Sequence, residues 1–377
     1  MTRFEFSTAA RIIFGPGTIS ELAAIAPSFG AKALIVTGAN QDRAKLHLQG
    51  IPCQFFSVPG EPTVAGIRAG AQLAREANFI IGFGGGSAID AAKAIAAVAP
   101  NSGDPMDYLE VIGKARPLEH PPLPFLAIPT TAGTGAEVTR NAVIGSPEHS
   151  VKASIRSPLM LARLALIDPN LTVDVPPSVT ATTGLDTITQ LIEPYVSWLA
   201  SPLTDIYCLD GLARAITALP RAYANGTDAN ARSKMSFSSL LSGLSLANAG
   251  LGAVHGFAAP LGGMLNAPHG ALCAAVLPHA TAINIRALRQ RQPQNPSLAK
   301  YARIAQLLSS DASQPEDCVE PLIRLSKSLN IPTLRALGLT QSDIPLAVER
   351  AAAASSMKAN PIPVTTAELT EILERAL

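Results

Sequence analysis

Short runs of β-branched and aliphatic residues alternate with alanine-rich stretches through the first half of the chain. In order, the candidate strands are RIIFG, KALIVTG, CQFFSV, FIIGFGGG, PFLAIPTT and RLALID. Two segments between them, residues 63–77 and 87–98, carry the pattern of helices. Apolar strands that alternate with helices are typical of a mostly parallel sheet covered on both faces. The pattern therefore predicts an N-terminal α/β domain with a Rossmann-like sheet.

Strand signals fade after the two prolines at Pro176 and Pro177, and long segments rich in alanine and leucine follow. Proline interrupts regular structure, so we place a domain boundary here. We expect an α/β domain at residues 1–176 and an all-helical domain at residues 177–377. The predicted helices cover residues 179–199, 203–223, 233–248, 269–289, 297–308, 318–329 and 344–354.

One stretch of the second half, from Met235 to Ile285, contains no Asp, Glu, Lys or Arg, although these residues make up 15% of the chain. Gly, Ser, Asn and Pro recur too often in it for a membrane span, so we predict buried helices. His255 and His269 lie inside this stretch. A buried imidazole needs a polar partner, so the partners of these two side chains are the central question.

The overall charge and the cysteines exclude several classes of protein. The 29 basic residues nearly balance the 28 acidic ones, and no basic run is present. We therefore expect no nucleic-acid partner and no membrane partner. The N-terminal residues lack the apolar core of a signal peptide, which favours a cytoplasmic location. Four cysteines without a CxxC pair argue against a disulfide framework or a thiolate zinc site and indicate buried thiols.

A glycine-rich loop follows the FIIG strand. Gly84, Gly85, Gly86 and Ser87 come directly before a predicted helix. Glycines let a backbone approach a pyrophosphate closely, and a helix N-terminus offers free N–H groups and a positive dipole end. The loop therefore predicts a phosphate-binding site, although a plain tight turn has the same composition.

A second polar loop follows the PFLAIPTT strand. Thr130, Thr131 and Thr134 put three hydroxyls on a turn that contains glycine, where they can bond phosphate, ribose or carboxamide groups. A structural turn stabilised by threonine side chains is the alternative. Ligands of parallel sheets bind at the carboxyl ends of the strands, so the two loops together favour a dinucleotide site.

The choice between NAD and NADP stays open in the sequence. The KALIVTG strand ends at Gly38, where a site that selects NAD usually has a carboxylate against the ribose 2′-hydroxyl. Asp42 and Arg43 follow, one favouring each cofactor, so spacing alone does not decide. We add Asn40 and Asp90 to the predicted cofactor contacts.

The helix expected after Pro177 carries Asp186 and Gln190 four residues apart, which places both on one helical face. Asp186 and the imidazoles of His255 and His269 can form a divalent-metal site with positions open for substrate. Gln190 could add an oxygen ligand. The alternatives are an aspartate that stabilises the helix N-terminus and histidines that are satisfied in the core.

The chain resembles the iron-containing (group III) alcohol dehydrogenase family almost from end to end. The resemblance lies in FGPG, GFGGGSAIDAAKAIA, AIPTTAGTGAEVT, ATTGLDTITQLIE and GAVHGFAAPLGGMLNAPHGALCAAVLP. It implies a dehydroquinate synthase-like architecture in which a dinucleotide-binding α/β domain and a helical metal and substrate domain face a cleft. It also implies that Fe²⁺ or Zn²⁺ polarises an alcohol oxygen while hydride passes to NAD or NADP, and that the protein is a homodimer.

The resemblance assigns roles to single residues. Asp186, His255 and His269 match three of the four family metal ligands and serve as the catalytic centre. The glycines and threonines of the two loops match cofactor contacts, and Lys152 matches the lysine that reaches the nucleotide. Gly38 stands where NAD-preferring members often have Asp, so the resemblance is compatible with NADP use as well as NAD use.

Two residues depart from the family pattern. Gln190 stands where the family usually has its fourth ligand, a histidine, and amide oxygen is the poorer ligand for iron or zinc. Ala259 stands where many family members have a histidine, and that histidine is often assigned a part in proton transfer.

The resulting prediction is a reversible NAD(P)-dependent oxidoreductase that interconverts an alcohol and an aldehyde or ketone, with the metal as Lewis acid. One alternative is a metal-independent reductase of the maleylacetate reductase branch. Another is a lyase related to dehydroquinate synthase, although the segments around Asp186 and His255 lack the basic residues that a phosphorylated substrate needs. The last alternative is a protein that binds a nucleotide but catalyses no reaction.

Overall fold

The computed structural model describes residues 3–149 and 151–377. Contacts within the chain divide it into two compact units. The first, here the α/β unit, is Ser7–Val175, and the second, here the helical unit, is Pro176–Leu377 together with the stretch that ends at Phe6. The assignment of separate functions to residues 1–176 and 177–377 stays a prediction.

A six-stranded sheet forms the centre of the α/β unit, and every neighbouring pair of its strands is parallel. The strand order is β1-β8-β5-β4-β2-β3. This confirms the predicted parallel sheet. The strands of the unit, including a separate antiparallel hairpin of β6 and β7, are β1 (Ile12–Phe14), β2 (Ala33–Thr37), β3 (Cys53–Ser57), β4 (Phe79–Gly84), β5 (Phe125–Pro129), β6 (Asn141–Ser146), β7 (Val151–Arg156) and β8 (Leu164–Ile167).

The helices of the α/β unit are α1 (Leu22–Ile25), α2 (Asp42–His47), α3 (Val64–Ala74), α4 (Gly86–Val98) and α5 (Pro105–Tyr108). The α4 helix starts where β4 ends and is buried along most of its length. Gly82 lets it lie close to the sheet, since a Cβ at that position would stand 2.9 Å from the Cβ of Ala92. The helix N-terminus is thereby fixed at the carboxyl end of the central strands.

The helical unit contains no strand between Pro176 and Leu377, which confirms the predicted helical half. Two of its helices, α9 and α14, were missed by the sequence pattern. The helices are α6 (Pro177–Val196), α7 (Pro202–Ala224), α8 (Ala229–Ala249), α9 (Ala253–Leu265), α10 (His269–Arg291), α11 (Ser297–Leu308), α12 (Val319–Ser328), α13 (Ile344–Ala353) and α14 (Thr366–Ala376).

The charge-free stretch forms the end of α8, all of α9 and most of α10. The α10 helix is long and apolar enough to cross a membrane, but 78% of its most apolar window is buried inside the protein. Such burial is typical of the core helix of a soluble protein. The predicted buried helices are therefore present. They bury His255, whereas the side chain of His269, at the start of α10, stays 34% exposed.

Candidate metal and cofactor sites

Asp186 lies in the middle of α6 and is buried, with only 2% of its surface exposed. Its Oδ2 atom accepts a hydrogen bond of 2.9 Å from the Gln190 amide nitrogen, one helical turn later. The Gln190 carbonyl oxygen in turn accepts a 2.9 Å hydrogen bond from the hydroxyl of Ser242 on α8. Gln190 thus fixes the orientation of the carboxylate and leaves Oδ1 to face the opposite side.

His255, on α9, is oriented by Glu193 of α6. The Nδ1 atom of His255 lies 2.6 Å from Glu193 Oε2, and the other carboxylate oxygen accepts a 2.7 Å hydrogen bond from the backbone N–H of Val254. With its proton on Nδ1, the imidazole presents the lone pair of Nε2 to its other side. A carboxylate that orients a histidine in this way is typical of metal sites.

The ligand atoms converge on one point within the helical unit. Asp186 Oδ1 lies 3.4 Å from His255 Nε2 and 3.7 Å from His269 Nε2. The Cys273 sulfur, one turn along α10 from His269, lies 3.6 Å from His269 Nε2. One ligand atom from each of these four residues lies within 4.8 Å of all the others. The structure thus brings together Asp186, His255 and His269, and adds a cysteine.

Two of these atoms indicate what the cluster holds. Asp186 Oδ1 and His255 Nε2 are buried and have no hydrogen-bond partner among the described residues. Leaving buried polar atoms unpaired is costly, and the cost is removed when a cation binds to both. Carboxylate and imidazole are ordinary ligands of zinc and iron, so the residues present fit the divalent metal that the sequence predicts.

The electrostatic field of the cluster favours positive charge. Burial alone would lower the pKa of His269, but Cys273 and Asp186 outweigh it and raise that pKa from 6.5 to about 9. Burial likewise opposes protonation of His255, yet Cys273, Glu193 and Asp186 raise its pKa well above 6.5. For Asp186, burial acts to raise the pKa, and the two imidazoles reverse the effect and lower it. The negative groups of the cluster therefore favour protonated imidazoles when no metal is present, and a bound cation would take the place of those protons.

We expect Glu193→Gln to lower metal affinity by about 10-fold to 100-fold, because the partner that orients a ligand histidine is lost. A glutamine oxygen can accept from only one of the two donors, and its NH₂ group would then face the other donor. The measurement is metal content after dialysis against graded concentrations of a chelator. Glu320→Gln on the exposed surface of α12 is the matched control. Unchanged affinity in Glu193→Gln would remove Glu193 from the site.

The predicted cofactor loops lie at one edge of the α/β sheet. Gly38 follows β2, and Thr130 to Thr134 follow β5. Gly84 to Ser87 run from the last residue of β4 into the first turn of α4. These three strands are neighbours in the order β5-β4-β2. A Cβ added at Gly86 would stand 2.7 Å from the Thr134 side chain, so the two loops touch. The geometry joins the N-terminus of α4 to the three threonines, which is the arrangement expected for pyrophosphate binding.

Three other predicted cofactor residues make contacts within the protein. Asn40 accepts a 2.7 Å hydrogen bond from the backbone of Asp42, at the start of α2. Asp90 accepts a 3.0 Å hydrogen bond from the backbone of Val143, and Lys152 pairs with Glu61 at 3.1 Å. Their roles in cofactor binding stay predictions, and these contacts show what a cofactor would compete with.

Lys93 stabilises the threonine loop and was missed by the sequence patterns. It is 1% exposed, and its ammonium donates to the Ala136 and Asn141 carbonyl oxygens and to the Thr139 hydroxyl at 2.7–2.9 Å. Burial lowers its pKa, an effect that Asp90 and Glu137 oppose. A buried ammonium with three acceptors fixes the chain that follows Thr134. A lysine in an alanine-rich helix has no distinctive sequence signal.

Comparison with known proteins assigns the chain to a family. Residues 9–169 match the family model for iron-containing alcohol dehydrogenases, and residues 180–377 match the model for the C-terminal part of the same family. The chain belongs to the iron-containing alcohol dehydrogenase family. As a member it is an oxidoreductase of the alcohol dehydrogenase type, and the family acts on small alcohols and aldehydes with NAD(P) and a divalent metal, typically iron.

Several relatives span the full length of this alcohol dehydrogenase family member. Alcohol dehydrogenase 4 of Saccharomyces cerevisiae (strain YJM789) is 33% identical and covers 96% of each chain. NAD-dependent methanol dehydrogenase of Bacillus methanolicus is 32% identical over the whole of both chains. Among solved structures, the crystal structure of a 1,3-propanediol oxidoreductase superposes on the whole of this chain with a TM-score of 0.90. The two sequences are 31% identical, and the match covers 100% of each chain. The predicted family and fold are therefore confirmed.

One residue of the candidate metal cluster, Cys273, and one residue beside it, Glu193, were missed in the sequence. Cys273 was interpreted as a buried thiol, and its position four residues after His269 was the signal that could have placed it on the same helical face. Glu193 ends the TQLIE segment, seven residues after Asp186 and hence on the same face of α6. His279 lies outside the cluster, and burial and Arg375 lower its pKa.

Proposed function

We propose that this alcohol dehydrogenase oxidises an alcohol to an aldehyde or ketone, and catalyses the reverse reduction, with NAD or NADP and a divalent metal. The observation that carries the proposal is the buried pair of unpartnered atoms, Asp186 Oδ1 and His255 Nε2, directed at each other beside His269. When bound, the metal supplies a Lewis acid that lowers the pKa of the alcohol.

The chain's own residues hold and orient that centre. Asp186, His255 and His269 are the proposed ligands. Gln190 orients the Asp186 carboxylate, and Glu193 orients the His255 imidazole, by the hydrogen bonds described above. Asp186 and His255 are buried, which shields them from water and strengthens the electrostatic interaction between them. With alanine at position 259, we propose that the alcohol proton leaves through water or a cofactor hydroxyl.

We propose that residues 1–176 bind the cofactor and residues 177–377 bind the metal and the substrate. The phosphate groups would lie on Gly84, Gly85, Gly86 and Ser87, with the threonine hydroxyls as further donors. The NAD-dependent methanol dehydrogenase among the relatives supports a nicotinamide cofactor. We further propose a cytoplasmic homodimer.

The named relatives favour neither the metal-independent reductase nor the lyase. The test is a panel of primary alcohols, diols and the matching aldehydes, assayed with NAD and with NADP, with and without added Fe²⁺ or Zn²⁺. The proposal expects cofactor reduction that depends on both an alcohol and a metal. Turnover without accumulation of reduced cofactor would favour the lyase, and full turnover by metal-free protein would favour the metal-independent reductase.

We expect Gly38→Asp to lower the ratio of NADP to NAD use, measured as kcat/KM, by at least about tenfold, because the new carboxylate would repel the 2′-phosphate. An added Cβ at Gly38 meets no atom within 4 Å, so the change fits the fold. Ala69→Asp, at an exposed position of α3, adds the same charge elsewhere in this unit and is the control. An unchanged ratio in Gly38→Asp would place the 2′-position of the cofactor away from the end of β2.

A further inference from the structure

We infer that Cys273 is the fourth protein ligand of the metal, so that the donor set is Asp186, His255, His269 and Cys273, and that its sulfur gives this site a preference for zinc over iron. The inference rests on the proposed function, because it concerns the same centre. It assigns a role to a residue of this chain that neither the sequence patterns nor the family pattern of one aspartate and three histidines provides.

Three of the six distances between the four ligand atoms agree with tetrahedral angles at a metal ion. Bonds of about 2.1 Å to nitrogen and oxygen and about 2.3 Å to sulfur imply ligand separations of about 3.4 Å without sulfur and about 3.6 Å with it. The observed separations are 3.4 Å and 3.7 Å from Asp186 Oδ1 to the two imidazoles, and 3.6 Å from the Cys273 sulfur to His269 Nε2. An alcohol oxygen would then bind as a fifth ligand, a coordination number that catalytic zinc sites can reach.

The sulfur is placed there by the helix. His269 is the first residue of α10, and Cys273 follows one turn later, so both side chains lie on the face that meets α6. Cys273 is fully buried. A thiolate without a cation would be an uncompensated buried charge, whereas beside a divalent cation it is a strong ligand.

Gln190, the sequence-based candidate for the fourth ligand, has both ends of its amide occupied. The carboxylate of Asp186 can only accept hydrogen bonds when ionised, so the Gln190 NH₂ group must face it, and its carbonyl oxygen then faces the Ser242 hydroxyl. Gln190 acts in this arrangement as a positioning residue for Asp186. The family's histidine at this position is thereby replaced in function by a ligand from a different helix.

The sulfur changes the chemistry of the centre. Asp186 and Cys273 together carry two negative charges, which balance the charge of a divalent cation, whereas one carboxylate and three imidazoles leave it positive. Thiolate is a soft donor that selects zinc over iron, and Zn²⁺ also lies above Fe²⁺ in the general order of affinities. We therefore expect this enzyme to retain zinc when both metals are offered under anaerobic conditions.

The test uses cobalt as a spectroscopic probe. Metal-free full-length protein is loaded with one equivalent of Co²⁺, and the expected result is a sulfur-to-cobalt charge-transfer band in the near ultraviolet. Cys273→Ser should lose that band while it keeps the visible bands of bound cobalt. Cys53→Ser, at a half-buried position in β3, should keep both sets of bands and serves as the control.

The outcomes separate this inference from the proposed function. Bound cobalt with visible bands but no charge-transfer band in the unmodified protein would overturn the role of Cys273 and leave the metal site intact. Failure to bind cobalt, zinc or iron at all would overturn both.

Two measurements complete the test. X-ray absorption of the zinc-loaded, unmodified protein needs no variant, and it should show one sulfur at about 2.3 Å from zinc. Equilibrium dialysis against equal concentrations of Fe²⁺ and Zn²⁺ should show at least a tenfold lower zinc preference in Cys273→Ser. An absorption spectrum with only nitrogen and oxygen neighbours would refute the assignment.

Discussion

Asp186→Asn is expected to leave the purified protein with little bound metal and to lower alcohol-dependent reduction of NAD(P) by at least about a hundredfold. The substitution keeps the shape of the side chain and removes its charge. Asp186 Oδ1 is the atom that both imidazoles approach, at 3.4 Å and 3.7 Å, so no other oxygen in the cluster can take its place. The measurements are metal content by elemental analysis and steady-state kinetics.

The control for this change is Asp210→Asn. Asp210 lies on α7 and pairs with Arg214 at the half-exposed surface, so its loss should change neither metal content nor turnover. Circular dichroism and thermal unfolding of both variants establish that the fold is retained. A folded Asp186→Asn protein with full metal content would contradict the assignment of the site.

Gly86→Val is expected to weaken NAD(P) binding by at least about tenfold while metal content stays unchanged. The first new atom would stand 2.7 Å and 2.9 Å from two side-chain atoms of Thr134, so the loops after β4 and β5 must separate. Overpacking of this kind also costs about 1–3 kcal/mol of stability. Titration of cofactor binding by fluorescence, together with elemental analysis, measures both parts of the prediction.

Gly66→Val is the matched control, because it makes the same change at another helical glycine of the same unit. A Cβ at Gly66 would approach only the Thr63 hydroxyl, at 3.3 Å. Cofactor affinity in Gly66→Val should therefore remain close to that of the unmodified protein. If Gly86→Val bound the cofactor normally, the phosphate groups would have to lie elsewhere than at the N-terminus of α4.

The α/β sheet could be predicted because its strands are apolar and end in recognisable loops. Each predicted strand corresponds to a strand of the parallel sheet, and the burial of β2 and β4 along their whole length explains their continuous apolar pattern. The hairpin of β6 and β7 was missed because its strands alternate buried with half-exposed residues and include Gly145 and Lys152. Such strands lack the apolar runs on which the prediction relied.

The sequence pattern also failed to predict α9, the helix that carries His255. The α9 segment contains Gly256 and Pro260, residues of low helix propensity, and its existence depends on packing within the helical unit. The histidine itself was found, because it lies in a family motif and in a stretch without charges. Tertiary packing thus determines that this segment is helical, whereas the motif alone was sufficient to identify His255 as a candidate metal ligand.

The candidate metal cluster was predicted in part. Asp186 lies in one family motif and His255 and His269 in another, but the motifs do not show which side chains orient these three residues. Glu193 and Ser242 reach the cluster only because three helices bring their side chains together. Gln190 was expected to contribute an oxygen ligand, and its hydrogen bonds to Asp186 and Ser242 become visible only when α6 and α8 are packed.

The central claim is that a metal held by Asp186, His255 and His269 is required for turnover. The most direct measurement is elemental analysis of the protein as purified, after chelation and after reloading, with alcohol-dependent NAD(P) reduction assayed on each sample. We predict about one equivalent of divalent metal per chain, loss of activity in step with loss of metal, and recovery on reloading. Full activity in protein that contains no metal would contradict the claim.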